Sequence, residues 1–192
     1  MIIKDNMDRR QRKTRQAIFD AFIELLGKKD FSKITVEQII QKADIGRATF
    51  YAHFETKDYL LKELAEELFC HIFDAVGGKE NGHKHIFDCN VEGSPFLHLF
   101  MHIKNNDNHV LDLLSSRNNQ LFLQYFKKGI REIAQKEYHI IANKTTQVPT
   151  EFIIEHITSS FVTVVQMWVK NGMNESIEKI NQYFLSLLGL EN

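Results

Sequence analysis

One stretch constrains this chain more than any other. Residues 43 to 58 read Ala-Asp-Ile-Gly-Arg-Ala-Thr-Phe-Tyr-Ala-His-Phe-Glu-Thr-Lys-Asp. Just before and into it, Val36, Ile39, Ile40 and Ala43 recur at helical spacing, which predicts an amphipathic helix. Thr35 precedes that helix and Gln38 stands three residues later, the pattern of a capping box. Asp44-Ile45-Gly46 then interrupts the period, as a tight turn does. A second short helix is predicted from about Arg47 to His53. Phe50 and Phe54 face inward on it, and Arg47, Thr49, Tyr51 and His53 are left mostly outward. Two helices joined by so short a turn make a helix-turn-helix, whose second helix lies in the major groove of DNA. A plain helical hairpin has no need to gather Arg, Thr, Tyr, His and Lys on one side.

Residues 49 to 60, Thr-Phe-Tyr-Ala-His-Phe-Glu-Thr-Lys-Asp-Tyr-Leu, resemble the signature that closes the DNA-binding domain of tetracycline-repressor-type (TetR-family) regulators. Ile34-Thr35-Val36, Ile39 and Ala43 resemble that family's second helix, and Arg15, Ile18, Ala21, Phe22 and Phe31 its first. The chain departs at Asp44 and Gly46, where the family more often has Gly and a Ser or Asn. The turn's backbone geometry and one phosphate contact depend on those positions. For docking in the groove, Arg47 and Thr49 are expected to read base edges, with Ala48 lying against the groove. Thr35, Tyr51, His53 and Lys57 are expected to hold the phosphates, Thr35 and Lys57 from helix amino termini.

Charge agrees with this placement. Residues 1–58 carry 12 Lys/Arg against 9 Asp/Glu, and residues 59–192 carry 12 against 16. A basic front on an acidic remainder suits a protein whose amino-terminal part meets a polyanion. The run Arg9, Arg10, Arg12, Lys13 and Arg15 is expected to contact phosphates too. Cys70 and Cys89 lack metal or redox spacing and read as thiols in a reducing cytoplasm. The amino terminus lacks the apolar core of a signal peptide, and Ile153 to Val169 reads as a buried helix and not a membrane span. The expected location is therefore the cytoplasm, with no membrane partner.

With only two prolines and nine glycines, the rest of the chain reads as long helices. Ala17, Ile18, Ala21, Phe22, Leu25 and Leu26 stripe the first, which Gly27 stops. Lys57-Asp58 opens a fourth helix with a wide apolar face from Leu60 to Val76. Four glycines among polar residues over 77–94 read as a linker. Ser94-Pro95 starts the next helix, with Ser as cap and Pro in the first turn. Asn105 to Asn108 breaks it, and a short helix over Val110 to Leu114 follows. Further helices are expected from 118 to about 142, from Pro149-Thr150 to about Asn171, and after an Asn174 cap, with a turn at Lys144 to Val148. The predicted fold is all-α, with about nine helices. An N-terminal three-helix DNA-binding domain spans 1–56, and a C-terminal helical domain for effector binding and dimerisation spans 57–192.

The last two long helices carry apolar faces with little chain left to bury them. Ile154, Ile157, Phe161 and Val165 on one, and Ile177, Ile180, Phe184 and Leu188 on the other, are expected at a homodimer interface. The resemblance implies a four-helix bundle there, and a palindromic operator requires a two-fold protein. Phe96, Phe100, Phe122, Phe126, Phe161 and Trp168 are candidates to line an effector pocket, against the alternative that each is plain core. His98 and His102 are four apart, a spacing that suits a metal, but no third ligand stands in register nearby; His83 and His85 lie in the linker. They are read as surface histidines, and no metal or cofactor is assigned. No nucleophile elbow, phosphate-binding Gly loop or zinc-protease motif appears, so the chain does not read as an enzyme. The expected function is a DNA-binding repressor released from a palindromic double-stranded operator by a small apolar or amphipathic effector. The competing reading is a regulator of the same fold that answers to a protein partner, or that activates.

Overall fold

A computed structural model describes residues 8–77, 94–115, 120–141 and 148–189. The linker expected over 77–94, with His83, His85 and Cys89, and the turn at 144–148 lie outside these segments apart from their end residues. The described residues form nine α-helices: α1 (Arg9–Leu26), α2 (Val36–Ala43), α3 (Arg47–His53), α4 (Lys57–Gly77), α5 (Pro95–Asn105), α6 (Val110–Ser115), α7 (Gln120–Ile141), α8 (Thr150–Lys170) and α9 (Ile177–Leu187). Single 3-10 turns stand at Phe31–Lys33 and Asp107–His109. The described residues contain no strand.

The chain divides into two compact units, Met1–Leu64 and Ala65–Asn192, with the division inside α4. The boundary expected at residue 57 lies at the first residue of that helix. In the first unit, Ile18, Phe19, Phe22, Ile39, Phe50, Phe54, Leu60 and Leu61 make one buried core. Phe54 meets Phe19 edge-on, with ring centroids 5.4 Å apart.

In the second unit, α7 packs along α8, and α9 packs on α5 and α8. The break between α5 and α6 is made by Asn106 and Asn108, both left-handed, at φ 53° and φ 50°. Asparagine visits that region at modest cost, which is why the Asn-rich run could be recognised as a stop. Ser94 caps α5, its hydroxyl accepting from Phe96 N–H at 3.3 Å. The cap of α9 differs from expectation. Ser176 takes that place, accepting from Lys179 N–H at 3.3 Å, while the Asn174 amide donates to the Asn171 carbonyl at 2.9 Å.

One expectation for this unit is corrected. Ile154, Ile157, Phe161, Val165, Ile180 and Phe184 are buried within a single chain, so they form no surface for another. Ile177 and Leu188 are half-buried. The faces of α8 and α9 that period alone left without cover are covered by α5, α7 and each other. Their outer faces instead show Phe152, Met167, Tyr183 and Leu187. The six rings expected to line a pocket pack against one another. Phe161 lies 4.6 Å from Phe100, 5.4 Å from Phe96 and 6.5 Å from Phe126, centroid to centroid. Trp168 stands edge-on to Phe100 at 5.9 Å, and Phe122 stacks on Phe126 at 6.1 Å. α8 is long and apolar enough to cross a membrane, but Ile154, Ile157, Phe161, Val165 and Trp168 of its apolar side chains are buried in this core.

A glycine marks one close approach. Gly129 sits inside α7, where alanine is ordinarily favoured by about 1 kcal/mol. A Cβ there would come within 2.2 Å of the buried Phe69 ring. That ring packs on Phe126 at 5.6 Å and has little room to retreat. Gly129→Ala is therefore expected to destabilise the fold by about 1–3 kcal/mol. A denaturation midpoint that falls at unchanged slope checks it.

Candidate nucleic-acid interface

Local chemistry builds the hairpin as its sequence predicts. The Thr35 hydroxyl accepts from Gln38 N–H at 3.3 Å, and the Gln38 side chain accepts from Thr35 N–H at 3.2 Å. This closes the capping box and starts α2. Asp44 ends α2 in the left-handed region, at φ 51° and ψ 51°. The Ile45 N–H then reaches back to the Ile40 carbonyl at 3.2 Å. Asp44 thus holds the conformation that a glycine would adopt more cheaply. Gly46 is extended, at φ −78° and ψ 154°, which any residue can adopt, and its carbonyl accepts from Phe50 N–H at 3.1 Å. The two departures from the family's pattern therefore leave the turn intact.

Phe50 and Phe54 root α3 in the core, both fully buried. The opposite face presents Arg47, Ala48 and Tyr51, all exposed, with Thr49 and His53 half-buried beside them. Arg47 donates to Glu37 Oε2 of α2 at 2.8 Å, with its side chain 68% exposed. This pairing raises the basicity of the guanidinium. Burial, then the charge of Arg15, lowers the pKa of His53, so at neutral pH it offers a neutral N–H and not a cation. Thr35 uses its oxygen in the cap, which leaves the hydroxyl proton to donate outward.

Two basic residues do different work from that expected. Arg15 pairs with Glu63, and both side chains are largely buried. Its guanidinium also lies 5.0 Å from the Phe19 ring centroid and 4.9 Å from that of Phe54. It is an internal clamp between α1, α4 and the end of α3, which corrects its assignment to the phosphates. Lys57 donates to the carbonyls of Phe31 at 3.0 Å and Ile34 at 2.9 Å, and lies 4.2 Å from the centre of the Phe31 ring. Burial lowers its pKa. Arg9, Arg10, Arg12 and Lys13 remain exposed along α1. Glu24 joins α1 to α2 by accepting from Lys28 at 2.6 Å and pairing with Lys42 at 2.5 Å, which lowers its carboxyl to about 2. The Glu37–Arg47 and Arg15–Glu63 pairs had no signal in sequence spacing, because their members stand on different helices.

A helix-turn-helix of this geometry defines a DNA-binding regulator, and comparison with known proteins agrees. Residues 18–64 match the family described as bacterial regulatory proteins, tetR family, and residues 94–189 match the transcriptional regulator C-terminal region of TetR proteins. The crystal structure of a TetR transcriptional regulator from Streptococcus agalactiae 2603V is 30% identical, with a TM-score of 0.71 over 96% of this chain and 97% of that one. Two uncharacterised HTH-type regulators of Bacillus subtilis also match: YxbF, 39% identical over 69 residues, and YvdT, 33% identical over 67. Each match takes in 35% of this chain, and the chain spans only 18% of YxbF and 34% of YvdT. The chain belongs to the TetR family of transcriptional regulators.

The clamp makes a prediction for the head itself. Arg15→Ala takes from the buried Glu63 carboxylate its guanidinium partner. It is expected to cost about 3–5 kcal/mol of stability. Asp44→Gly relieves the left-handed strain and is expected to raise stability by up to about 1 kcal/mol. Thermal unfolding of the two variants should move in opposite directions.

Proposed function

We propose that this chain is a homodimeric, non-enzymatic repressor of the cytoplasm that lays α3 in the major groove of a palindromic operator. The exposed run Arg47, Ala48 and Tyr51, with Thr49, on a helix anchored by Phe50 and Phe54, carries the reading. Arg47 and Thr49 read base edges, and Ala48 permits close approach to the groove. Arg47 exchanges Glu37 for a base in doing so. Thr35, Tyr51 and His53 hold phosphates. Lys57 serves from inside, keeping the 3-10 turn and the start of α2 in place.

Selection of binding sites from random DNA tests the operator. Arg47→Ala should relax the preference at one position in each half-site, by about 1–3 kcal/mol. An equal loss on every sequence would assign Arg47 to a phosphate.

The dimer forms through the outer faces of α8 and α9 in this reading. Phe152 and Met167 on α8 and Leu187 on α9 are large apolar side chains 71%, 59% and 61% exposed in one chain. Ser159 and Thr163 lie on the same side of α8 and permit close helix contact. A light-scattering mass of two chains is expected for the unmodified protein. Met167→Glu with Leu187→Glu should give a folded monomer.

An apolar or amphipathic effector releases the operator by binding a state of the second unit that DNA disfavours. α4 belongs to both units and is the helix through which that state can reach the head. Coupling is reciprocal, so operator DNA should weaken effector binding by the same factor. The direct packing of Phe96, Phe100, Phe122, Phe126, Phe161 and Trp168 favours a second reading, in which a protein partner replaces the small molecule. Effector affinity that is equal with and without operator would eliminate allosteric induction by that effector.

A further inference from the structure

The second unit hides a cluster that DNA binding does not use. His98 and His102, one turn apart on α5, are 1% and 0% exposed. The expectation of two surface histidines is therefore corrected. A third imidazole, His71 of α4, stands against both, with ring centroids 5.1 Å from each. It is 7% exposed. One ring nitrogen from each of the three lies within 4.8 Å of the other two.

The spacing is close to that of a coordination sphere. Metal–nitrogen bonds of about 2.0–2.1 Å in a tetrahedral site put ligand nitrogens roughly 3.3 Å apart. His98 Nε2 and His102 Nε2 are already 3.1 Å apart. In the ion's absence, one of these nitrogens donates a proton to the other.

Asp107 decides which. Its Oδ2 lies 2.6 Å from His102 Nδ1, so the carboxylate takes the Nδ1–H and leaves the lone pair on Nε2, directed at His98. A carboxylate behind a ligating histidine is the usual outer partner in metal sites. Both rings lie away from water, which favours the uncharged imidazole. Neutral imidazole is the form that ligates. An apolar core gains nothing from three imidazoles that leucine or phenylalanine would not supply better.

We propose that His71, His98 and His102 bind one divalent first-row transition-metal ion of the zinc class, with Asp107 orienting His102 from outside the coordination sphere. Three imidazoles select such ions over calcium and magnesium, which prefer oxygen. The ion takes the place of the proton between His98 and His102, and that proton passes to Nδ1 of His98, so the ring stays neutral. His71 closes the remaining gap by a shift of its ring. A solvent molecule completes the four ligands.

The full chain, stripped with chelator and free of DNA, is titrated with Zn²⁺ against a chromophoric chelator and, separately, with Co²⁺. One ion per chain is expected, with the intense visible bands of tetrahedral cobalt, which Zn²⁺ should abolish. The unfolding temperature should rise with Zn²⁺. His71→Leu and His98→Leu should each remove saturable binding, and Asp107→Asn should weaken it about 10–100-fold. Absence of saturable Zn²⁺ and Co²⁺ binding by the folded wild-type protein overturns the proposal, as does unchanged affinity in folded His71→Leu and His98→Leu. Should those variants fail to fold, the cobalt spectrum of the wild type decides: weak octahedral bands overturn the site. No DNA enters this measurement, so its failure and that of the operator reading are separately visible.

Discussion

The DNA-binding unit depends on a guanidinium held away from water. Arg15 leaves α1, pairs with Glu63 on α4, and spreads over the rings of Phe19 and Phe54. A charge in that position is costly unless its partner and its packing are both in place. Here the carboxylate supplies the charge, and the rings supply faces that a weakly hydrated guanidinium favours. Phe54 directly follows α3, so the clamp also fixes where the outward helix ends. Lys57 does similar work on the other side, tying the start of α4 to two carbonyls between α1 and α2. The angle at which Arg47, Ala48, Thr49 and Tyr51 are presented thus rests on cations directed inward.

The second unit solves a different problem. Its aromatic side chains are numerous enough to saturate one another, and edge and tilted contacts link Phe96, Phe100, Phe161 and Phe184. Such contacts add to simple burial and favour a single arrangement of the rings. Beside this apolar region three imidazoles and one carboxylate are gathered, with hydrogen bonds joining Asp107 to His102 and His102 to His98 and the His71 ring standing against both histidines. Polar groups are retained in a core only where they satisfy one another or a ligand. The unit therefore combines an aromatic core with a polar cluster, and both reach α4, through Phe69 and His71.

Much of the fold was legible because its signals are local. Thr35 with Gln38, Ser94 with Pro95, and the Asn-rich break act over three or four residues, and the structure places each where it was read. The helix-turn-helix was legible for the same reason, since α2, the turn and α3 are contiguous. The cap of α9 was misread because Asn174 and Ser176 are both good cap residues two positions apart. Their local preferences are nearly equal.

What the sequence determined by itself was the set of helices, most of their ends, the outward chemistry of α3 and the family. Period and capping follow from bonds within one helix, so they need no knowledge of its neighbours. What only the tertiary structure decided was which apolar faces are covered and which polar groups meet. Ile154, Phe161 and Phe184 had no visible cover until α5 and α7 supplied it. Arg15 and Glu63, 48 positions apart, carry no spacing that announces them, and none ties His71 to the His98 and His102 pair. A helix's period says that it has a face to bury. Only the packed chain determines what that face is buried against.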